Sequence, residues 1–77
     1  MKEDGAVLPL GFADMNEELI IKKVNGTPEV KKHLENLGFV AGGEVMIVSE
    51  LAGNLIVNVK ETRVGIDRTL AQKVFVD

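Results

Sequence analysis

Cysteine is absent from this 77-residue chain, which excludes disulfides, thiolate metal sites and thiol catalysis. Histidine occurs once, at His33, so no histidine cluster can form within one copy of the chain. No apolar run approaches the ~20 residues that cross a bilayer as a helix. The opening MKEDGAVLPLG carries acidic residues and only a short apolar piece, which does not fit a signal peptide. No Ser-His-Asp or Cys-His arrangement is readable. Gly42-Gly43 lacks the lysine and the serine or threonine of a phosphate-binding loop, and a strand pattern follows it where that loop would start a helix. Excess positive charge is lacking too. A net charge of −3 with interspersed signs argues against nucleic acid as the main partner. These absences lead to the expectation of a cytoplasmic, non-enzymatic chain with no cofactor, no metal site and no direct membrane insertion.

What is present is globular: 45% hydrophobic and 27% charged residues, in a length that suits one domain. The expected unit is residues 1–77, with 1–6 as a flexible polar leader. Val7, Leu8 and Leu10 make a short apolar patch that Pro9 confines to an edge or an entry segment. Phe12 and Met15 lie among turn formers and are expected to cap one end of the core. Glu17 to Val24 reads as a strand whose apolar residues do not alternate strictly, which a bulge or a strong twist near Ile21 would reconcile.

The chain is organised around Thr27 to Gly43. Thr27 suits an N-cap, Pro28 the first helical position, and Glu29 the positive end of the helix dipole. Val30, Leu34 and Leu37 share one face, while Lys31, Lys32, Glu35 and Asn36 fill the other. Gly38 can close the helix in the left-handed conformation, with Phe39 placed for the apolar contact that accompanies such a cap. Val40 to Gly43 forms a turn.

Glu44 to Leu51 follows as a strand, with Val45, Ile47 and, in step with them, Ser49 on one face and Met46 and Val48 on the other. Ala52-Gly53-Asn54 makes a hairpin loop. Leu55 to Lys60 alternates cleanly, with Leu55, Val57 and Val59 inward. Arg63 to Asp67 is a further strand, and Thr69 to Gln72 matches a capping box over one helical turn. Lys73 to Asp77 is a last short strand, with Val74 and Val76 inward and Phe75 outward or at a barrel end. The sum is mainly β: about five short strands, with one α-helix inserted after the first, in a small closed barrel that leaves few exposed edges.

The chemistry-bearing residues are sparse. His33 lies on the flank of the helix's apolar face, where a partly packed boundary ring is expected. Glu29 and His33 share a face four residues apart, which makes at most a weak metal site. Glu17, Glu18, Glu35, Glu44, Glu50, Glu61 and Asp67 are scattered and read as solvated surface. Lys22, Lys23, Lys31 and Lys32 form two basic pairs either side of Asn25-Gly26. Composition therefore points to a binding module.

The order of these features resembles the FeoA family. Leu10, the strand Glu17 to Val24, Asn25-Gly26, Leu34-Glu35-Asn36-Leu37-Gly38-Phe39 and Val40-Ala41-Gly42-Gly43-Glu44-Val45 carry the likeness in the first half. Leu55 to Val59, Arg63-Val64-Gly65-Ile66, Ala71 and Val74-Phe75-Val76 carry it in the second. The family commonly has proline before the turn glycine, where this chain has Ala41. The resemblance implies an SH3-like β-barrel and a non-catalytic accessory role in bacterial ferrous iron uptake. It also implies docking on the GTP-binding domain of the membrane transporter FeoB, with recruitment to the inner face of the membrane. The fold is shared with the C-terminal domain of DtxR-type repressors, so a metal- or anion-responsive sensor is the alternative. The exposed side of the helix and the turn after it supply the expected contact residues: Lys31, His33, Glu35, Phe39, Val40 and Ala41. A self-associating scaffold using Met46, Ile56 and Phe75 is a third, weaker reading.

Overall fold

The structure, a computed structural model, describes residues 7–77, so the expected leader lies outside the described residues. Its elements run in order β1 (Leu8–Pro9), a turn of 3-10 helix (Leu10–Phe12), β2 (Leu19–Val24), α1 (Pro28–Leu37), β3 (Glu44–Leu51), β4 (Asn54–Val59), β5 (Thr62–Asp67), α2 (Arg68–Ala71) and β6 (Val74–Val76). All strand pairs are antiparallel, and the strands lie in the order β1-β6-β2-β3-β4-β5. One core fills the inside of this sheet. It takes Leu19 and Ile21 from β2, Val45 and Ile47 from β3, Leu55, Val57 and Val59 from β4, Ile66 from β5 and Val74 and Val76 from β6, with Leu34 of α1 and Phe39 closing it. Each large aliphatic side chain buried there contributes roughly 1.5–3 kcal/mol. The expected mainly-β architecture with one principal helix is the observed one, and the clean alternation of β4 puts Leu55, Val57 and Val59 inside as read from the sequence.

The strand count is six. The additional strand is Leu8–Pro9, which pairs with Phe75 and Val76 of β6. Proline there donates no ladder hydrogen bond, which an edge position tolerates.

Phe12 and Met15 do not cap the core; they are 68% and 51% exposed. Leu10 takes that place and is fully buried. In a 3-10 turn the residue two positions on points about 240° away, so burying Leu10 turns Phe12 outward.

The capping box at Thr69 is not the device that starts α2. Asp67 is the N-cap, and its Oδ1 accepts from the Leu70 amide at 2.8 Å. β5 delivers Asp67 in an extended conformation (φ −81°, ψ 171°), which is already cap geometry, and Thr69 falls inside the turn.

Two bulges shape the sheet. On β2, Ile21 opposes Val76 and Lys23 opposes Phe75, so Lys22 is the extra residue. This is the irregularity expected near Ile21. On β3, Ile47 opposes Val57 and Ser49 opposes Ile56, so Val48 is extra. Past that bulge Ser49, Glu50 and Leu51 are all exposed, and Ser49 does not face inward.

Candidate partner-binding groove

The geometry of the site begins with the caps of α1. Thr27 Oγ1 accepts from the Val30 amide at 3.2 Å, and Pro28 follows at the first position of the helix. At the other end Gly38 adopts φ 112° and ψ 1°. Its amide reaches the Glu35 carbonyl at 2.9 Å, and the Phe39 amide reaches the Leu34 carbonyl at 2.9 Å. This is the Schellman arrangement, and it turns Phe39 into the core, where it is fully buried.

The chain then makes a tight turn over Val40-Ala41-Gly42-Gly43, closed by the Gly43 amide on the Val40 carbonyl at 2.9 Å. The turn is fastened to the centre of β2. Gly42 donates to the Ile21 carbonyl at 2.7 Å, and the Ile21 amide donates to the Gly43 carbonyl at 2.8 Å. Helix, turn and strand are thereby held as one unit.

A groove of about 250 Å³ lies between them, lined by Lys22, Lys23 and Val24 of β2, Lys31 and Glu35 of α1, and Phe39, Val40 and Ala41. The bulge explains why two successive lysines both reach solvent. In a regular strand one of them would point inward, but the extra residue breaks the alternation. Lys31 and Glu35 are one helical turn apart and share a face. Lys22 Nζ lies 3.8 Å from an Asp77 carboxylate oxygen, and Lys23 Nζ sits 5.5 Å from the centre of the Phe75 ring.

Five of the six residues expected to form a contact surface line this groove: Lys31, Glu35, Phe39, Val40 and Ala41. Their access differs. Lys31, Glu35 and Ala41 are exposed, Val40 is half-buried, and Phe39 backs the groove from inside the core.

His33 is not part of it. Two residues from both Lys31 and Glu35, it lies about 200° round the helix from each. It is exposed, where a partly packed ring was expected. Sequence reasoning missed Lys22, Lys23 and Val24 as groove residues. The paired lysines flanking the Asn25-Gly26 turn were the available signal.

A second depression of about 190 Å³ is lined by Glu18, Glu44, Val45, Met46, Asn58 and Lys60. No three histidine, aspartate or glutamate side chains converge as a metal site among the described residues. No helix there is long and apolar enough to cross a membrane.

The FeoA domain family matches residues 8–77. A protein of Methanocaldococcus jannaschii named for Fe(2+) transport (transport protein A) is 30% identical over 69 residues, covering 90% of this chain and 84% of the relative. The crystal structure of an iron uptake regulatory protein, FeoA, superposes with a TM-score of 0.84 at 25% identity, covering 94% of this chain and 96% of that one. The zinc complex of Stenotrophomonas maltophilia FeoA, described as a procaryotic SH3 domain protein, gives a TM-score of 0.77 at 27% identity over 88% and 87% of the two chains. A manganese-dependent transcriptional repressor shares the fold alone, with a TM-score of 0.81 at 15% identity over 91% of this chain and 40% of that one. The likeness to the S. maltophilia protein identifies the curled sheet as SH3-like. Its strands, its capped helix and the family match over residues 8–77 agree, and the chain belongs to the FeoA domain family.

Proposed function

We propose that this chain is a non-catalytic accessory module of ferrous iron uptake. It docks through the groove between β2 and α1 on the cytoplasmic GTP-binding domain of a FeoB-type membrane transporter and modulates transport there. Family membership and the relative named for Fe(2+) transport support the iron connection. The observation that carries the docking surface is the groove itself. Residues from a strand, a helix and a turn, all within residues 22–41, meet around one concave surface with exposed charges and an apolar backing. Such a surface suits recognition of a protein segment. In this reading the chain works at the inner face of the membrane, recruited by the transporter.

The test is a titration of isotope-labelled protein with the transporter's cytoplasmic domain, with and without guanine nucleotide. Amide shifts are expected at Lys22–Val24, Lys31, Glu35 and Val40–Ala41. An unchanged spectrum at high domain concentration, or shifts confined to the β3–β4 face around Met46 and Asn58, would refute docking through this groove.

A further inference from the structure

We propose that the groove recognises an acidic peptide segment, one in which carboxylates flank an apolar side chain. The inference rests on the docking reading above and names the chemistry of the docked element. Three lysines, Lys22, Lys23 and Lys31, line a surface that also presents Val24, Val40 and Ala41. Lys22 is engaged by Asp77. Among the described residues, neither Lys23 nor Lys31 has a carboxylate within salt-bridge distance. Two cations without carboxylate partners therefore border an apolar surface, in a chain whose net charge is −3. The bulge at Lys22 enforces the arrangement, because it holds both strand lysines outward.

The dimensions and the one internal carboxylate narrow the choice of occupant. The groove's ~250 Å³ is smaller than the ~300–1,000 Å³ of small-molecule pockets, and suits an anchoring side chain with its neighbours. Glu35, exposed on the same wall, repels a dense anion such as a phosphate cluster or a lipid headgroup layer. It is well suited to accept hydrogen bonds from the backbone amides of a docked segment. A segment with spaced carboxylates supplies the counter-charges that Lys23 and Lys31 lack, and its apolar residue covers Val24, Val40 and Ala41.

The experiment uses two synthetic peptides: one with glutamates around a pair of leucines, the other with every glutamate replaced by glutamine. Each is titrated into the full chain by fluorescence anisotropy and by amide shift mapping. The glutamate peptide is expected to bind with shifts in the groove, and the glutamine peptide far more weakly. Lys31→Glu should weaken binding about tenfold and Lys31→Gln about threefold, from the modest worth of exposed charge pairs. Lys32→Glu, outside the groove on the same helix, should change it less than twofold at physiological salt, where the screening length is about 8 Å. Circular dichroism confirms that each variant is folded.

Equal binding of the two peptides would overturn the proposal. So would equal loss in the Lys31 and Lys32 variants, or binding to phosphatidylserine vesicles in place of the peptide. A parallel titration with the transporter domain separates this inference from the docking reading. If the domain binds the parent and Lys31→Glu proteins alike, docking stands and acidic recognition falls. If the glutamate peptide alone binds, acidic recognition stands and the partner is a different protein.

Discussion

Replacing Gly38 by alanine tests whether the helix stop holds its shape through backbone conformation. Gly38 sits at φ 112°, in the region that L side chains rarely adopt. A left-handed conformation costs a residue bearing a Cβ about 1–2 kcal/mol. Space is not the obstacle, because the added Cβ would lie 3.5 Å from both γ-methyls of Val59, an ordinary contact. Alanine also restricts the unfolded chain, which recovers roughly 0.5 kcal/mol. The net expectation is a loss of about 1 kcal/mol, or about 4–8 °C in Tm for a domain of this size.

Asparagine tolerates the left-handed region better than alanine, so Gly38→Asn should cost less than Gly38→Ala. Both variants should keep the urea m-value, since the folded surface is unchanged. Thermal melts followed by circular dichroism, with urea titrations at 25 °C, provide the measurement. An alanine variant as stable as the parent, or an asparagine variant less stable than the alanine one, would refute the conformational argument.

The turn after the helix offers a gain. Gly42, at φ 89°, stands third in the hydrogen-bonded turn Val40 to Gly43, which makes Ala41 the second residue of a type II turn. Proline favours that position, so Ala41→Pro should stabilise the fold by about 0.4–1 kcal/mol in urea unfolding. The β3–β4 hairpin carries the opposite kind of residue. Ala52 and Gly53 have φ values of 53° and 86°, as a type I′ turn requires, and Ala52→Asn should stabilise by about 0.5–1 kcal/mol, read from the denaturation midpoint. At α2, Asp67→Ala removes the N-cap and should cost about 1 kcal/mol. Arg68→Ala removes only the half-exposed ion pair with Glu50 and should cost less than about 0.5 kcal/mol, an effect that added salt abolishes.

The helix was legible because its signals are local. Thr27, Pro28, the Val30–Leu34–Leu37 face and Gly38 each act within a turn or two of their own position. The alternation of β4 is legible for the same reason, since its inward face is set by a period of two. What escaped depends on distant partners. The strand at Leu8–Pro9 exists only because β6, at the other end of the sequence, pairs with it. Phe12 is outward because Leu10 wins the place in the core, a competition that hydrophobicity alone does not decide. Ser49 loses its inward position to a bulge at Val48. The groove was half legible. Its helix and turn walls lie within one stretch, while its third wall comes from β2, placed by the hydrogen bonds of Ile21 to Gly42 and Gly43. Of the expected contact residues, Lys31 and Glu35 line the groove and His33, on the opposite side of the helix, does not.

The pairing of Leu8 with Val76 brings the two ends of the described fold side by side. The polypeptide path is therefore almost a ring, and a short linker could join its ends without disturbing the sheet. A circular permutant opened at the exposed Ala52-Gly53 turn would keep every wall of the groove on one uninterrupted piece of chain. The same geometry bears on handling the protein. Asp77 pairs with Lys22 at the rim of the groove, so any tag appended there emerges beside the surface it is meant to report on. A label at the β3–β4 turn is the better choice, because none of the groove-lining residues belongs to that hairpin.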